Sequence, residues 1–208
     1  MWSKVVAKKH RAWLWIVSGP SGSGKTTLCE RLLRKKSLNI VSSISFTTRS
    51  LRRGEKNNRD YFFISKKDFL KKIKKGDFLE WKKVFSNFYG TPKNIVFDLL
   101  KKNKDVLLSI DVKGALEVQK KYPRRSILIF VLPPNEKVLA KRAKERARED
   151  RVEIKRRLAF AKTEISFAKK YNYIVVNDNL KKAIRDLESI IITKRLENDL
   201  YPTRKNNR

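Results

Sequence analysis

Short apolar runs alternate with amphipathic stretches along most of the chain. Residues 13–18 form an apolar run that ends in a glycine-rich turn, which is typical of a buried strand in a parallel sheet. Further runs of this kind occupy residues 105–110, 126–132 and 173–176. Helical periodicity covers residues 27–36, 92–102, 112–121, 136–167 with a break, and 180–196. Strands that alternate with helices in this way predict an α/β fold with a parallel sheet and right-handed crossovers.

The predicted helix at 92–102 begins with a capping signal. Thr91 is a good N-cap residue, and Pro92 follows it. Because proline at the first helical position loses no hydrogen bond, the pair predicts that Thr91 caps the helix.

Two stretches break the alternation of strands and helices. Residues 44–95 mix strand-like pieces with turns, and residues 135–160 are dense in Arg, Lys and Glu. Both are predicted to be insertions at the carboxyl edge of the sheet, where open α/β sheets bind their ligands. The rest of the chain then forms one core from residues 11–43, 96–134 and 161–197, with tails at 1–10 and 198–208.

The composition limits the class of protein. A length of 208 residues fits one domain, and a hydrophobic content of 40% excludes a wholly disordered chain. Cys29 is the only cysteine, so an intramolecular disulfide framework and a four-cysteine zinc site are excluded, which suits a reducing compartment. No apolar run approaches the ~18 residues of a membrane span, and the run near the start is too short for a signal-peptide core. These features predict a soluble cytoplasmic protein without membrane contact.

The chain carries 52 basic and 21 acidic residues, a formal net charge of +31. Such a charge favours contact with polyanions or phosphates. The lysines, however, form doublets spread along the chain at the polar positions of amphipathic stretches, which favours an ordinary solvated surface. We expect only non-specific, salt-sensitive binding to nucleic acid.

A complete phosphate-binding motif follows the first predicted strand. Gly19, Gly24, Lys25 and Thr26 match the pattern Gly-x4-Gly-Lys-Ser/Thr, and a predicted helix comes next. Glycines let backbone N–H groups surround a phosphate, and the helix amino terminus adds partial positive charge. Lys25 is expected to reach the β- and γ-phosphates, and the Thr26 hydroxyl to bind Mg²⁺. The motif leaves the reaction open and predicts a nucleoside triphosphate site made of Gly19, Pro20, Ser21, Gly22, Ser23, Gly24, Lys25, Thr26 and Thr27.

From Ser45 onward the chain carries a series of further motifs. They are Ser-Phe-Thr-Thr-Arg to Asp-Tyr at 45–61, Phe-Leu-Glu-Trp at 78–81, Phe-Tyr-Gly-Thr at 88–91, Ile-Asp at 110–111, Leu-Pro-Pro at 132–134 and Val-Asn-Asp at 176–178. With the phosphate loop and paired arginines in 135–160, they make the chain resemble guanylate kinase over about residues 14–193. The resemblance implies a P-loop NTPase-type parallel sheet flanked by helices, a GMP-binding insertion at 44–95 and an arginine-rich lid at 135–160. It also implies phosphoryl transfer from ATP to GMP, and to dGMP, with Mg²⁺ as cofactor.

The resemblance assigns four residues to the monophosphate of GMP; they are Arg49, Arg52, Tyr61 and Tyr89. Guanidinium groups bind phosphate oxygens at two points, and a tyrosine hydroxyl can donate to the same group. Taken singly, these residues also fit surface arginines and half-buried core tyrosines. The set at the family's spacing is what favours the phosphate site.

Glu80 is the residue that the resemblance places against the guanine base. Guanine presents N1–H and its 2-amino group as adjacent donors, which one carboxylate can accept. Adenine has an acceptor at N1 and no 2-amino group, so it would leave a buried carboxylate unpaired and be rejected. The family places Ser45, Thr91 and Asp111 around the same base.

Arg142, Arg146 and Arg157 match the family's arginines that close over ATP, and with Lys25 and Arg49 they form the implied catalytic set. Phosphoryl transfer spreads negative charge over the moving group, so cations are the chemistry that it needs. Arg142 and Arg146 are four residues apart and share one helix face. Closure of this lid would also exclude water. The alternative is a solvated helix whose arginines pair with neighbouring acids.

Three positions depart from the family. Ser109 stands where many members have a carboxylate that orients Mg²⁺, Lys113 where glutamine is usual, and Ala147 where glycine is common. We expect weaker metal handling and a stiffer lid, with the reaction unchanged. His10, the only histidine, and Cys29 are assigned no chemistry.

Two other function classes fit parts of the sequence. A catalytically silent guanylate-kinase-like interaction domain is expected to lose residues of the phosphate loop or lid, whereas this chain keeps Lys25, Thr26 and the three lid arginines. A nucleic-acid-binding NTPase rests on the net charge alone. Both a monomer and a homo-oligomer are compatible with the sequence.

Overall fold

The computed structural model of the chain describes residues 11–52, 54–84, 86–146 and 151–200, with the backbone alone at 143–146, 151–155, 157 and 198–200. Nine strands and seven α-helices follow one another in these segments. In chain order they are β1 (Leu14–Ser18), α1 (Lys25–Leu33), β2 (Ile40–Ser42), β3 (Phe46–Thr47), β4 (Phe62–Phe63), α2 (Lys66–Lys74), β5 (Phe78–Val84), β6 (Asn87–Pro92), α3 (Lys93–Lys101), β7 (Asp105–Ser109), α4 (Val112–Lys121), β8 (Ser126–Leu132), α5 (Glu136–Arg146), α6 (Arg151–Ser166), β9 (Tyr173–Val176) and α7 (Leu180–Leu200).

The main sheet has five parallel strands in the order β2-β7-β1-β8-β9. β1 lies at its centre, where Ile16 is opposite Leu108 of β7 and Leu128 of β8. Every residue of β1 is buried, because helices cover both faces of the sheet. α1 and α7 pack on one face through Leu28 and Leu187, and α3 and α4 pack on the other. The predicted α/β fold, a parallel sheet flanked by helices, is confirmed.

The buried carboxylate of Asp105 ties the first residue of β7 to its neighbours. It accepts hydrogen bonds from the Trp13 backbone N–H at 2.9 Å and from the Trp15 indole N–H at 2.8 Å. Arg195 of α7 adds Nε at 2.9 Å and a second guanidinium nitrogen at 2.7 Å. A buried charge is tolerated only when it is paired and hydrogen-bonded, and this one is both. Asp105 therefore holds β7 and α7 against the segment that enters β1.

A second sheet, in the order β4-β3-β6-β5, lies within the stretch predicted to be an insertion. β5 and β6 pair antiparallel and pack on α2 through a cluster of Phe69, Phe78 and Phe88. The cluster leaves no room for a side chain at Gly90, where a Cβ would lie 2.8 Å from the Phe78 ring. Leu79 points away from this cluster and packs into the core of the main sheet. β5 is therefore fixed to both layers.

One helix start differs from the prediction. α3 begins at Lys93, with Pro92 as an extended N-cap residue and no side-chain cap. Thr91 instead belongs to β6, where it lies opposite Glu80 of β5 and donates its hydroxyl hydrogen to that carboxylate. The prediction that Thr91 caps the helix was wrong, because strand pairing turns its side chain towards β5.

The arginine-rich stretch contains two described helices, and residues 147–150 between them, where the predicted break would fall, lie outside the described residues. α5 ends at Arg146 and α6 begins at Arg151. Leu139 is the buried anchor of α5. Across the described ranges, no helix combines the length and the apolar character needed to cross a membrane.

Candidate active site

The phosphate loop joins the carboxyl end of β1 to the start of α1. Gly19, Gly22 and Gly24 have φ angles of 144°, 88° and 92°, which residues with a Cβ rarely adopt. A Cβ at Gly19 would overlap the carbonyl oxygen of Val131, and one at Gly24 would overlap the side-chain amide of Asn177. Backbone angle and packing therefore both require glycine here. The loop runs directly into a helix amino terminus, which is a position that binds anions.

Two polar side chains hold the loop in this shape. Lys25 Nζ donates to the carbonyl oxygens of Gly19 at 2.5 Å and Pro20 at 2.9 Å. Asn177 Nδ2 donates to the carbonyl oxygen of Ser23 at 2.8 Å, and both of these residues are buried. Sequence reasoning assigned no role to Asn177. Its place in the Val-Asn-Asp motif directly after β9 was the available signal.

A cavity of about 1020 Å³ lies beside the loop, at the upper end of the size of ligand pockets. Trp81 and Lys82 of β5 form one wall of the cavity. Asp111, between the end of β7 and the start of α4, forms another. The cavity therefore lies between the carboxyl edge of the main sheet and the small sheet, where ligand binding was predicted. The predicted triphosphate-binding residues that line it are Gly19, Ser21, Gly22, Gly24, Lys25 and Thr26.

A smaller cavity of about 430 Å³ shares Gly22 and Gly24 with the first. Thr27, Arg142 and Asn177 are also on its wall. Arg142 Nη1 donates to the Gly22 carbonyl oxygen at 3.3 Å, so α5 contacts the phosphate loop directly. The side chains of the other two predicted lid arginines, Arg146 and Arg157, lie outside the described residues.

Two acidic side chains from different layers lie close together beside Gly114, and one of them, Asp111, lines the large cavity. Glu80 is 5% exposed, and its Oε1 accepts the hydroxyl hydrogen of Thr91 at 2.6 Å. Asp111 caps α4, where its Oδ1 accepts the Gly114 N–H at 2.8 Å, and its Oδ2 lies 2.5 Å from Lys82 Nζ. Burial raises the pKa of Glu80. Burial acts on Asp111 in the same direction, but Lys82 and backbone hydrogen bonds outweigh it and lower the pKa of Asp111.

Arg49 lies among aromatic rings of the small sheet. Its guanidinium carbon is 5.1 Å from the centre of the Tyr61 ring, and the Tyr61 and Tyr89 ring centres are 6.1 Å apart. Both terminal nitrogens of Arg49 also contact the Glu55 carboxylate. The fold thus brings together three of the four residues predicted to bind the monophosphate, along with an acid that was not predicted.

Two other predicted GMP ligands lie outside this cluster. The side chain of Arg52 is exposed, and its backbone N–H donates to Glu55 at 2.9 Å. Ser45 is half-buried just before β3, where its carbonyl oxygen accepts the Phe62 N–H at 2.9 Å. The contacts of both residues with GMP stay predictions.

Glu164 of α6 is an acid of the cavity that sequence reasoning did not select. It is 8% exposed and lines the large cavity together with Ser21 and Lys25. Burial raises the pKa of Glu164, while the Lys25 ammonium and a hydrogen bond from the Ser21 backbone act against that rise. A glutamate in a helix dense in charged residues is typical of a solvated face, so the sequence pattern carried no signal for it.

Magnesium usually keeps several waters and takes one or two protein ligands together with substrate phosphates. The Thr26 hydroxyl lies at the start of α1 on the cavity wall, next to Lys25. This donor fits a phosphate-bound Mg²⁺, which needs no dedicated cage of acidic residues. Within the part of the chain that the structure describes, no group of three or more His, Cys, Asp or Glu side chains could hold a metal ion.

A glycine-rich loop between a central parallel strand and a helix, beside a cavity closed by a second small sheet, defines a P-loop nucleotide-binding protein of the α/β class. The chain belongs to the guanylate kinase family. The family model described as guanylate kinase matches residues 11–194.

Individual relatives agree with the family model. A guanylate kinase of Clostridium tetani is 45% identical over 190 residues, which is 91% of this chain and 90% of that protein. A guanylate kinase of Caldanaerobacter subterraneus subsp. tengcongensis is 41% identical over 191 residues, 92% of each chain. Among solved structures, guanylate kinase from Anaplasma phagocytophilum has a TM-score of 0.75 and 30% identity, covering 92% of this chain and 90% of that one.

Proposed function

We propose that this chain transfers the γ-phosphoryl group of ATP to GMP, giving ADP and GDP, and that dGMP is also an acceptor. The observation that carries the proposal is the buried Glu80 carboxylate, held by Thr91 and lying next to Gly114, which lines the same cavity as the phosphate loop. A buried acceptor of this kind is complementary to the adjacent N1–H and 2-amino donors of guanine. With adenine, the buried carboxylate would lack a donor to accept from. Membership of the guanylate kinase family supports the same substrate pair.

The triphosphate of ATP is assigned to the loop from Gly19 to Thr27. When ATP binds, the Lys25 ammonium would exchange its hydrogen bonds to the Gly19 and Pro20 carbonyl oxygens for contacts with the β- and γ-phosphates. The Thr26 hydroxyl would hold Mg²⁺. When bound, that ion neutralises phosphate charge and orients the γ-phosphate. Arg142, which already contacts Gly22, belongs to the lid with Arg146 and Arg157 and brings further positive charge to the same phosphates.

GMP is assigned to the face between the two sheets. Its phosphate would contact Arg49, Arg52, Tyr61 and Tyr89, and its base would contact Glu80, Ser45, Thr91 and Asp111. The small sheet at 44–95 would then act as the GMP-binding part and residues 135–160 as the lid.

In the transfer step, an oxygen of the GMP phosphate attacks the γ-phosphorus of ATP. The bond between that phosphorus and the oxygen bridging to the β-phosphorus breaks, and ADP leaves with the electron pair. The chain contributes position and positive charge, because the transition state redistributes negative charge over the transferring group and the oxygen that leaves with ADP. Closure of the arginine-rich helices over the cavity would keep water from taking the place of GMP.

The test uses purified protein with Mg²⁺ and ATP, to which GMP, AMP, CMP or UMP is added in separate reactions. ADP is expected to form with GMP, and only slowly with the other three. ADP release that does not depend on GMP would overturn the proposal. Stimulation of that release by RNA would favour a nucleic-acid-dependent NTPase, and no turnover with any acceptor would favour a silent interaction domain.

A further inference from the structure

Two carboxylates, those of Glu80 and Asp111, lie close together beside the large cavity. A Cβ at Gly114 would lie 3.0 Å from Glu80 Oε2 and 3.5 Å from Asp111 Oδ1, so both carboxylates face the first turn of α4. Neighbouring carboxylates disfavour each other's ionisation. Here burial, and then the charge of Asp111, raises the pKa of Glu80.

Lys82 supplies the compensating charge. Its Nζ lies 2.5 Å from Asp111 Oδ2, and the ion pair joins β5 of the small sheet to the N-cap of α4 in the main domain. The side chains of Lys82 and Asp111 are 38% and 26% exposed, so both are partly removed from water. Lys82 follows Glu80 by two residues, which places the two side chains on one face of the strand.

Three acidic groups interact electrostatically with Asp111, namely Glu80 of β5, Glu164 of α6 and Tyr171 before β9. Lys25, Lys83, Lys113 and Glu117 line the same cavity. Lys82 is the cation that acts most strongly on Asp111. Without it, Asp111 would face these acids with backbone N–H groups as its main support.

We propose that Lys82 is a positioning residue of the base site, whose ammonium directs the Asp111 carboxylate at the 2-amino group of guanine. This assignment rests on the proposed function. A 2-amino group is a donor and needs an ionised or otherwise accepting partner. Each carboxylate oxygen has two lone pairs, so Asp111 Oδ2 can accept from the base while it keeps Lys82. Glu80 then accepts N1–H and the other hydrogen of the 2-amino group.

The experiment compares four forms of the full chain, namely wild type, Lys82→Met, Lys82→Arg and Lys83→Met. Lys82→Met keeps much of the chain length and removes the charge, and Lys82→Arg restores the charge. Lys83→Met is the matched control, because it removes the same charge from the next residue of β5. The Lys83 ammonium lies 6.0 Å from the centre of the Phe88 ring. GMP and inosine monophosphate, which lacks the 2-amino group, are each titrated calorimetrically without ATP between pH 5.5 and 8.5. Steady-state KM values for GMP and ATP are measured in parallel.

Lys82→Met is expected to weaken GMP binding about three- to fivefold, the effect of one partly exposed ion pair, with the larger loss at the acid end of the pH range. The sign follows from the charge: loss of the ammonium raises the pKa of Asp111, so the acid limb of GMP binding moves to higher pH. Inosine monophosphate is expected to lose less than twofold. In Lys82→Met, KM for ATP and kcat are expected to stay within about twofold of wild type. Lys82→Arg is expected to restore the wild-type pH profile of GMP binding, and Lys83→Met to leave that profile unchanged.

Three results would overturn the assignment. They are an unchanged pH profile in Lys82→Met, an equal loss for GMP and inosine monophosphate, and a fall in kcat at constant GMP affinity. Wild-type protein that binds no GMP at any pH would overturn the proposed function, and the role of Lys82 with it. Normal wild-type binding with an unaffected Lys82→Met variant would overturn the role of Lys82 alone.

Discussion

Arg49 and Glu55 form a two-point ion pair, with Arg49 Nη1 2.6 Å from Glu55 Oε2 and Nη2 2.5 Å from Oε1. A guanidinium binds two oxygens of one phosphate in this same manner. The Glu55 carboxylate thus occupies the donors that are assigned to the phosphate of GMP. The arriving nucleotide must compete with an acid that the chain itself supplies.

Glu55→Gln tests this competition, because it removes the charge and keeps the shape. Arg49 also packs on the rings of Tyr61 and Phe63, at 5.1 and 5.4 Å, so the guanidinium should keep its place. We expect KM for GMP to fall about two- to fivefold, which corresponds to the loss of one competing ion pair of modest strength. KM for ATP should be unchanged in the same steady-state assay. A higher KM for GMP would show instead that Glu55 positions Arg49 for the phosphate.

The same ion pair makes a prediction about pH. Hydrogen bonds from Arg49 lower the pKa of Glu55 to about 2. A carboxylate with a depressed pKa keeps its contribution above its ordinary value and loses it as the pH falls towards 2. The ratio of wild-type to Glu55→Gln KM values for GMP should therefore be constant between pH 5.5 and 8. A ratio that varies across this window would contradict the ion pair.

Glu80→Gln should damage the use of GMP much more than the binding of ATP. Glutamine keeps the size of the side chain but replaces one acceptor oxygen with a donor, which opposes a donor of guanine in a buried site. We expect kcat/KM for GMP to fall by about 10²–10³ and the preference for GMP over AMP to shrink by a similar factor, with the Kd for ATP within twofold. An unchanged preference would show that the base is recognised elsewhere.

Lys25→Ala should reduce turnover by at least ~10²-fold, since it removes a cation from the phosphates that carry the transition-state charge. The fold should survive, because the loop keeps the Asn177 hydrogen bond to Ser23 and its glycine backbone angles. Steady-state kinetics measure the first effect, and the far-ultraviolet circular dichroism spectrum with thermal unfolding checks the second. Turnover close to wild type would remove Lys25 from the mechanism.

Asp105→Ala should lower the free energy of unfolding by about 3–5 kcal/mol, because it leaves Arg195, the Trp15 indole and the Trp13 N–H without their buried acceptor. Asp98→Ala, at an exposed position of α3, is the matched control and should change stability by less than about 0.5 kcal/mol. Urea unfolding of both variants measures the difference. Equal stabilities would show that Asp105 does not organise the sheet.

Local pattern was sufficient for much of the main domain. β8, β9 and α4 have the bounds that the apolar runs and the helical period predicted. These signals depend on residues within a few positions of one another, so the chain carries them whatever packs nearby. The phosphate loop was equally readable, because glycine is required at positions such as Gly19 and Gly24 by the backbone conformation itself.

Contacts between residues that are distant in the sequence could not be predicted from local pattern. Glu55, Lys82 and Glu164 lie in charge-rich segments and had the character of solvated surface, yet each meets a predicted site residue. Thr91 had the character of a helix cap and bonds to Glu80. Whether a polar side chain faces water or another group depends on which remote element packs against it. The packing of the two sheets around one cavity determines which of these polar side chains contact one another. Those contacts exist only in the folded chain.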